Sequence, residues 1–272
     1  MVLLDLDGTL HDDPRVIDTY VAALEAAIPN GRGHGLRKEI RSVVSGEHPA
    51  VLPGRFVEPA RGLVVHAPEW VVDRATDWEC RPVPLPDDLR GRVQREGPLR
   101  YLGDCWQIVG ALAARRGADH QTLHEAFVLA RQFANDLANP LSRIDCLDDV
   151  LERLASGRRL LLATNTSEEL GRPLVERLAL QQPFAIIRFD ARKPAGCVDL
   201  LAEVDRLWGT PAREVLVVGD NLWNDLLPLA ERGCRTVHID PLRTDAARRW
   251  SNARYLDLGS FAAALKDASH AA

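Results

Sequence analysis

The chain reads as an α/β protein: a parallel sheet with helices on both faces, interrupted near its start by a long and mostly helical insert. Three observations carry this reading. Short apolar runs recur at Val2–Leu4, Leu160–Ala163 and Val215–Gly219, and each runs straight into a polar residue, as buried strands of a parallel sheet do when they end at a site. From Leu147 onward, helical and strand periods alternate, which is the pattern of successive βαβ units. Between His11 and about Ser142 the alternation is lost, and one-sided apolar stripes at helical spacing take its place.

Composition sets the outer limits. A length of 272 residues with 46% apolar side chains supplies a core for one large domain or two modest ones. The net charge of -5 lacks the basic excess that tracks a nucleic-acid backbone, so nucleic acid is not expected as a principal partner. Five cysteines, Cys80, Cys105, Cys146, Cys197 and Cys234, are scattered and form no close pair. That spacing argues against a zinc site and fits reduced thiols in a cytoplasmic setting. The opening Met-Val-Leu-Leu-Asp has neither the basic lead of a signal peptide nor the length of a membrane span, and reads as a core strand.

Taken in order, Val2–Leu4 leads into Asp5-Leu6-Asp7-Gly8-Thr9-Leu10. Side chains alternate along a strand, so Asp5 and Asp7 set out in the same direction, and Gly8 then permits a sharp turn. One carboxylate can attack while the other, displaced by the turn, exchanges a proton. Two desolvated acids this close need a cation or a shared proton. After the turn, His11 reads as part of a hinge, and Ile17, Tyr20, Val21, Leu24 and Ile28 form a helical stripe ending near Pro29-Asn30-Gly31. Leu36, Ile40 and Val43 predict a short second helix.

Residues 46–86 change character, because seven of the 17 prolines lie between Pro49 and Pro86 and break any helical period. The stretch reads as irregular or partly β, with Leu63–His66 and Trp70–Asp73 as short strands. It is either a loop over the site or a tolerated insertion. Helices are expected at Asp87–Glu96, Tyr101–Arg116 and Asp119–Leu137, the last carrying Leu123, Phe127, Ala130, Ala134 and Leu137 on one face. The core then resumes with a helix at Leu147–Ala155, the strand ending at Thr164-Asn165, and a helix at Glu168–Leu180. A strand at Ala185–Phe189, a helix at Gly196–Trp208, the strand ending at Gly219-Asp220, a helix at Leu222–Arg232 and a strand at Thr236–Asp240 follow. A short tail helix is expected over Ser260–Ala272.

In an open α/β sheet, ligands sit beyond the carboxyl ends of the strands, so these strand-end polar residues converge on one crevice. The order Asp5 to Thr9, Thr164, Lys193 and Gly219-Asp220 with Asp225 resembles the haloacid dehalogenase superfamily of hydrolases. The signatures of that family are Asp-x-Asp-Gly-Thr, a strand-end Thr or Ser, a Lys, and Gly-Asp-x-x-x-x-Asp. The resemblance implies a Rossmann-like catalytic core of residues 1–10 and 143–272. It also implies an inserted cap domain of residues 11–142, which is larger here than the usual small helical cap.

The resemblance further implies Mg2+ held by Asp5, Asp220 and the backbone carbonyl of Asp7, with Asp225 orienting the shell from behind. Lys193 sets a compact positive charge beside Asp5. With 31 arginines and only three lysines in the chain, a lysine at this position is informative, and the neighbouring Arg192 is the competing cation. Thr164 and the backbone N–H groups of Leu6, Asp7 and Asn165 can hold the transferring oxygens. Asp5 is then the nucleophile that forms an aspartyl-phosphate, and Asp7 is the acid and base. In the dehalogenase branch the position of Asp7 is a Tyr, and in the phosphonoacetaldehyde branch an Ala with a lysine in the cap. The expected activity is therefore a phosphatase acting on a small phosphorylated metabolite, with a phosphomutase or a non-catalytic binding module as alternatives. No membrane partner is expected, and the oligomeric state is undetermined.

Overall fold

The computed structural model describes residues 1–95, 97–244 and 251–270. Contacts divide the chain into two compact units, residues 1–13 with 134–272 and residues 14–133. In chain order, β1 (Val2–Leu4) is followed by α1 (Pro14–Ala27) and α2 (Leu36–Val44). Seven short strands come next: β2 (Phe56–Glu58), β3 (Leu63–His66), β4 (Val71–Val72), β5 (Arg74–Asp77), β6 (Pro82–Val83), β7 (Gly91–Arg92) and β8 (Arg100–Tyr101). Then come α3 (Cys105–Arg115), α4 (His120–Asn135), α5 (Leu147–Ala155), β9 (Leu160–Ala163), α6 (Glu168–Arg177), β10 (Phe184–Arg188) and α7 (Cys197–Trp208). The series closes with β11 (Leu216–Gly219), α8 (Leu227–Ala230), β12 (Arg235–Ile239), β13 (Ala253–Tyr255) and α9 (Leu258–His270).

The first unit is built on a six-stranded sheet in the order β10-β9-β1-β11-β12-β13, and every ladder in it is parallel. β1, β9 and most of β11 are apolar and buried, as strands covered on both faces must be. The register aligns Leu4 with Leu162 on one side and with Val218 on the other. Asp5, the end of β9 and the end of β11 therefore emerge side by side. The chain runs outward from β1 to β9 and β10, then crosses back to β11, so the strand order reverses beside β1. That reversal opens the crevice in which α/β sheets bind ligands.

Several expectations change here. The span Leu222–Arg232, read as one helix, is a π-helical turn (Leu222–Leu226) followed by α8. The turn begins at Asn221, whose side-chain oxygen accepts from the N–H groups of Trp223 and Asn224. β13 was not foreseen, because three half-buried residues make no apolar run. α4 stops at Asn135, and Leu137 is 84% exposed, so Leu137 is no part of the apolar stripe. The last two residues of the expected tail helix, 271–272, lie outside the described residues.

The second unit is less purely helical than the apolar stripes suggested. Residues 46–86 form most of an antiparallel sheet in the order β6-β5-β3-β2-β8. Phe56, Trp70 and Tyr101 meet on it with ring centroids 5.1–6.0 Å apart. The helix expected at Asp87–Glu96 is a single 3-10 turn at Asp87–Leu89 followed by β7, with Glu96 outside the described residues. β7 pairs with β4, and the Val93 N–H donates to the Trp70 carbonyl at 2.8 Å; this pairing overrides a weak local helical preference. Arg116, at the end of α3, ties the helices together. Its guanidinium donates to Glu39 at 2.7 and 2.9 Å and to the carbonyls of Arg32 and His34 at 2.8 Å.

Leu161 is fully buried at the centre of β9, so truncating it leaves a cavity that a close-packed sheet cannot refill. Leu161→Ala is expected to lower unfolding free energy by about 2–5 kcal/mol, read as a lower urea midpoint at unchanged slope. A loss well under 1 kcal/mol would contradict the packing described.

Candidate active site

The site grows from the ends of β1, β9 and β11. Asp5 extends β1, its N–H donating to the Val218 carbonyl at 3.0 Å, so the ladder holds the backbone of this acid in place. Gly8 follows with φ +81°, and a Cβ there would stand 1.9 Å from Asp220 Oδ2. Only glycine tolerates both the left-handed turn and the approach of that carboxylate. At the end of β11, a Cβ on Gly219 would fall 2.7 Å from the Asp225 Cβ. The two glycines thus make room for the two acids.

Asp5, Asp220 and Asp225 are all buried, and a carboxylate oxygen from each lies within 4.8 Å of the others. Lys193 enters the cluster, with Nζ 2.5 Å from Asp5 Oδ1 and 2.7 Å from Asp225 Oδ1. Asp225 is therefore a direct member of the cluster and also an ammonium partner. Its second oxygen accepts from the Asn221 N–H at 3.0 Å. Arg192, the competing cation, is 78% exposed and pairs with Asp199 instead.

Desolvation dominates the electrostatics. Burial pushes the Asp5 carboxyl up to about 8, because the Lys193 ammonium offsets only part of that penalty and the carboxylates of Asp225 and Asp7 add to it. Burial alone would lower Lys193, but Asp225 and Asp5 outweigh it and hold the ammonium above its ordinary value. Three carboxylates against one ammonium leave a surplus of two negative charges when all are ionised. Hard oxygen donors at this spacing with a charge deficit fit a divalent cation such as magnesium.

The other motif residues surround this cluster. The Thr164 N–H continues the β9 ladder to Arg188 O at 2.9 Å, and its hydroxyl accepts from the Thr166 N–H at 3.1 Å. The Asn165 side chain grips the Lys193 backbone at two points, donating to its carbonyl at 2.9 Å and accepting from its N–H at 2.7 Å. This clamp fixes the segment that carries the lysine. Leu6 is fully buried, and its carbonyl accepts from the N–H groups of Leu10 and His11 at 2.9 Å, closing the turn after Asp5. The Asp7 carboxylate lies toward Thr166 Oγ1, which donates to it at 3.3 Å, and toward His11 Nδ1 at 3.5 Å.

Sequence reasoning missed three of these contributions. Thr166 carried no motif signal, although Thr164 and Thr166 repeat a hydroxyl two positions apart. The role of the Asn165 amide depends on where the Lys193 segment folds. His238, from β12, lies with Nε2 2.7 Å from the Asp220 carbonyl. A carbonyl only accepts, so Nε2 carries the proton. Burial pulls this imidazole below its usual value despite the nearby Asp240 carboxylate, in keeping with a neutral ring.

No protein-family model and no curated protein sequence matches the chain. Solved structures do. The L-2-haloacid dehalogenase RSc1362 is 20% identical with a TM-score of 0.52, and the magnesium-bound HAD-hydrolase candidate YfnB from Bacillus subtilis is 15% identical with a TM-score of 0.55. An L-2-haloacid dehalogenase from Xanthobacter autotrophicus is 17% identical with a TM-score of 0.50. Each alignment covers 97% of this chain and 97% of the other. Together with the parallel sheet and its strand-end acids, these likenesses establish that the chain has the fold of the haloacid dehalogenase superfamily.

Proposed function

We propose that the protein is a magnesium-dependent phosphatase that hydrolyses a small organic phosphate monoester. The observation that carries this reading is the Lys193 ammonium set between Asp5 and Asp225 in a buried acidic cluster. Asp5 is the nucleophile: one of its oxygens attacks phosphorus, the bond from phosphorus to the ester oxygen breaks, and an aspartyl-phosphate forms. The Asp7 carboxyl gives its proton to the departing alkoxide, and as a carboxylate it then accepts a proton from water. That water attacks phosphorus and returns phosphate and the free Asp5. Lys193, the Thr164 hydroxyl and the backbone N–H groups of Leu6, Asp7 and Asn165 receive the phosphoryl oxygens as preorganised donors.

Asp5, Asp220, Asp225 and the Asp7 carbonyl would hold the magnesium. Once bound, the ion supplies the positive charge that keeps Asp5 ionised at neutral pH and offsets the roughly two negative charges of a phosphate monoester. The second unit is proposed as a cap that selects small substrates. Two of the similar structures are dehalogenases, but Asp7 stands where the dehalogenase branch carries tyrosine. A carboxyl there serves an alkoxide leaving group, whereas a halide departs without a proton, so ester hydrolysis is the better fit.

Asp5→Asn is expected to lower turnover of p-nitrophenyl phosphate on the order of 10³-fold or more, with unchanged circular dichroism. Retained turnover would remove Asp5 as nucleophile. Halide release from a 2-haloalkanoate, with no phosphate release from any ester, would favour the dehalogenase assignment. Treatment with EDTA is expected to abolish phosphatase activity and added Mg2+ to restore it. Activity indifferent to both would take the metal out of the mechanism.

A further inference from the structure

We infer that Thr166 is a positioning residue whose hydroxyl sets the direction of the Asp7 carboxyl group for proton transfer to the leaving alkoxide. The inference rests on the phosphatase reading above and adds a residue that no motif supplies. The last side-chain torsion of an aspartate is broad and roughly two-fold, so the backbone at Asp7 does not by itself aim its oxygens. Aim has to come from partners. Thr166 Oγ1 donates to Asp7 Oδ2 at 3.3 Å, and the His11 ring stands 3.5 Å from Oδ1 on the other side.

Thr166 is itself held fast. It is 5% exposed, its N–H donates to Thr164 Oγ1 at 3.1 Å, and its carbonyl accepts from the Asp190 N–H at 3.0 Å. Its side chain is β-branched, which restricts its first side-chain torsion. One short segment therefore presents two hydroxyls with separate tasks. Thr164 faces the phosphoryl oxygens, and Thr166 aims the acid.

In the first half-reaction, the Asp5 oxygen bonds to phosphorus while the bond from phosphorus to the ester oxygen breaks. That oxygen takes the Asp7 proton, so an alcohol leaves and Asp7 becomes a carboxylate. An alkyl ester needs this proton because its alkoxide is a poor leaving group, whereas p-nitrophenolate leaves without it. A misdirected Asp7 therefore penalises the two substrates unequally, and a general loss of structure would penalise them alike.

The test compares kcat/KM for p-nitrophenyl phosphate with kcat/KM for a series of alkyl phosphates in the wild type, Thr166→Val and Thr166→Ser, each checked for its melting temperature. Thr166→Val keeps the shape and removes the hydroxyl. It is expected to lose about tenfold or more on alkyl esters, a part of the general-acid contribution, and much less on the aryl ester, while Thr166→Ser restores the wild-type ratio. Equal losses on both substrate classes, or no loss on alkyl esters, would overturn the inference while leaving the phosphatase reading intact. A wild type inactive on every ester would overturn that reading first.

Discussion

One buried ammonium faces more negative charge than it can neutralise. Lys193 contacts Asp5 and Asp225, and Asp220 completes a group of carboxylates whose oxygens lie within 4.8 Å of one another. Taking these charges out of water costs several kcal/mol per ion, and such a cluster persists only where the surrounding backbone leaves the side chains no alternative. Burial, with the carboxylates of Asp225 and Asp7 adding to the deficit of positive charge, pushes the Asp5 carboxyl up to about 8. The same deficit makes the cluster receptive to a hard cation. Strain and chemistry thus have a common origin, as they do at many sites with strongly shifted carboxyl groups.

The backbone achieves this through sheet register. β1 lies between β9 and β11 with Leu4 level with Leu162 and Val218, so three strand ends deliver their polar residues to one place. Close supports then remove the remaining freedom. Gly8 and Gly219 admit the carboxylates of Asp220 and Asp225 where any side chain would collide. Asn165 clamps the Lys193 backbone, and His238 holds the Asp220 carbonyl. The supports from Asn165 and His238 are hydrogen bonds to backbone groups, and the two glycines act through backbone geometry, which makes the cluster a property of the fold more than of rotamer choice.

Asp7 is treated differently from the other acids. Its carboxylate lies toward Thr166 and His11, so the two carboxylates that leave β1 in the same direction end in separate environments. Asp5 sits against an ammonium and other acids, and Asp7 beside a hydroxyl and an imidazole. Carboxyl groups in distinct surroundings can take distinct roles, which is what a nucleophile paired with a proton donor requires. The structural neighbours share the fold at 15–20% identity, and such likeness does not choose between reactions. The choice rests on the residues of the crevice.

The sequence alone determined the sheet strands β1, β9, β11 and β12 and the helices α5, α6 and α7, and it picked out Asp5, Asp7, Thr164, Lys193, Asp220 and Asp225 as candidate site residues. Buried parallel strands write themselves as apolar runs, and the polar residue that ends each run is visible without coordinates. Tertiary structure decided what local pattern cannot encode. Residues 91–93 take an extended path because β7 pairs with β4, partners some twenty residues apart. Arg192 was excluded and Lys193 chosen by the direction in which one turn points them. Thr166, Asn165 and His238 acquire their tasks only through chain crossings that bring them beside Asp7, Lys193 and Asp220. Periodicity reports which face of an element is buried, and the packing of elements distant in the chain reports what each buried polar group will touch.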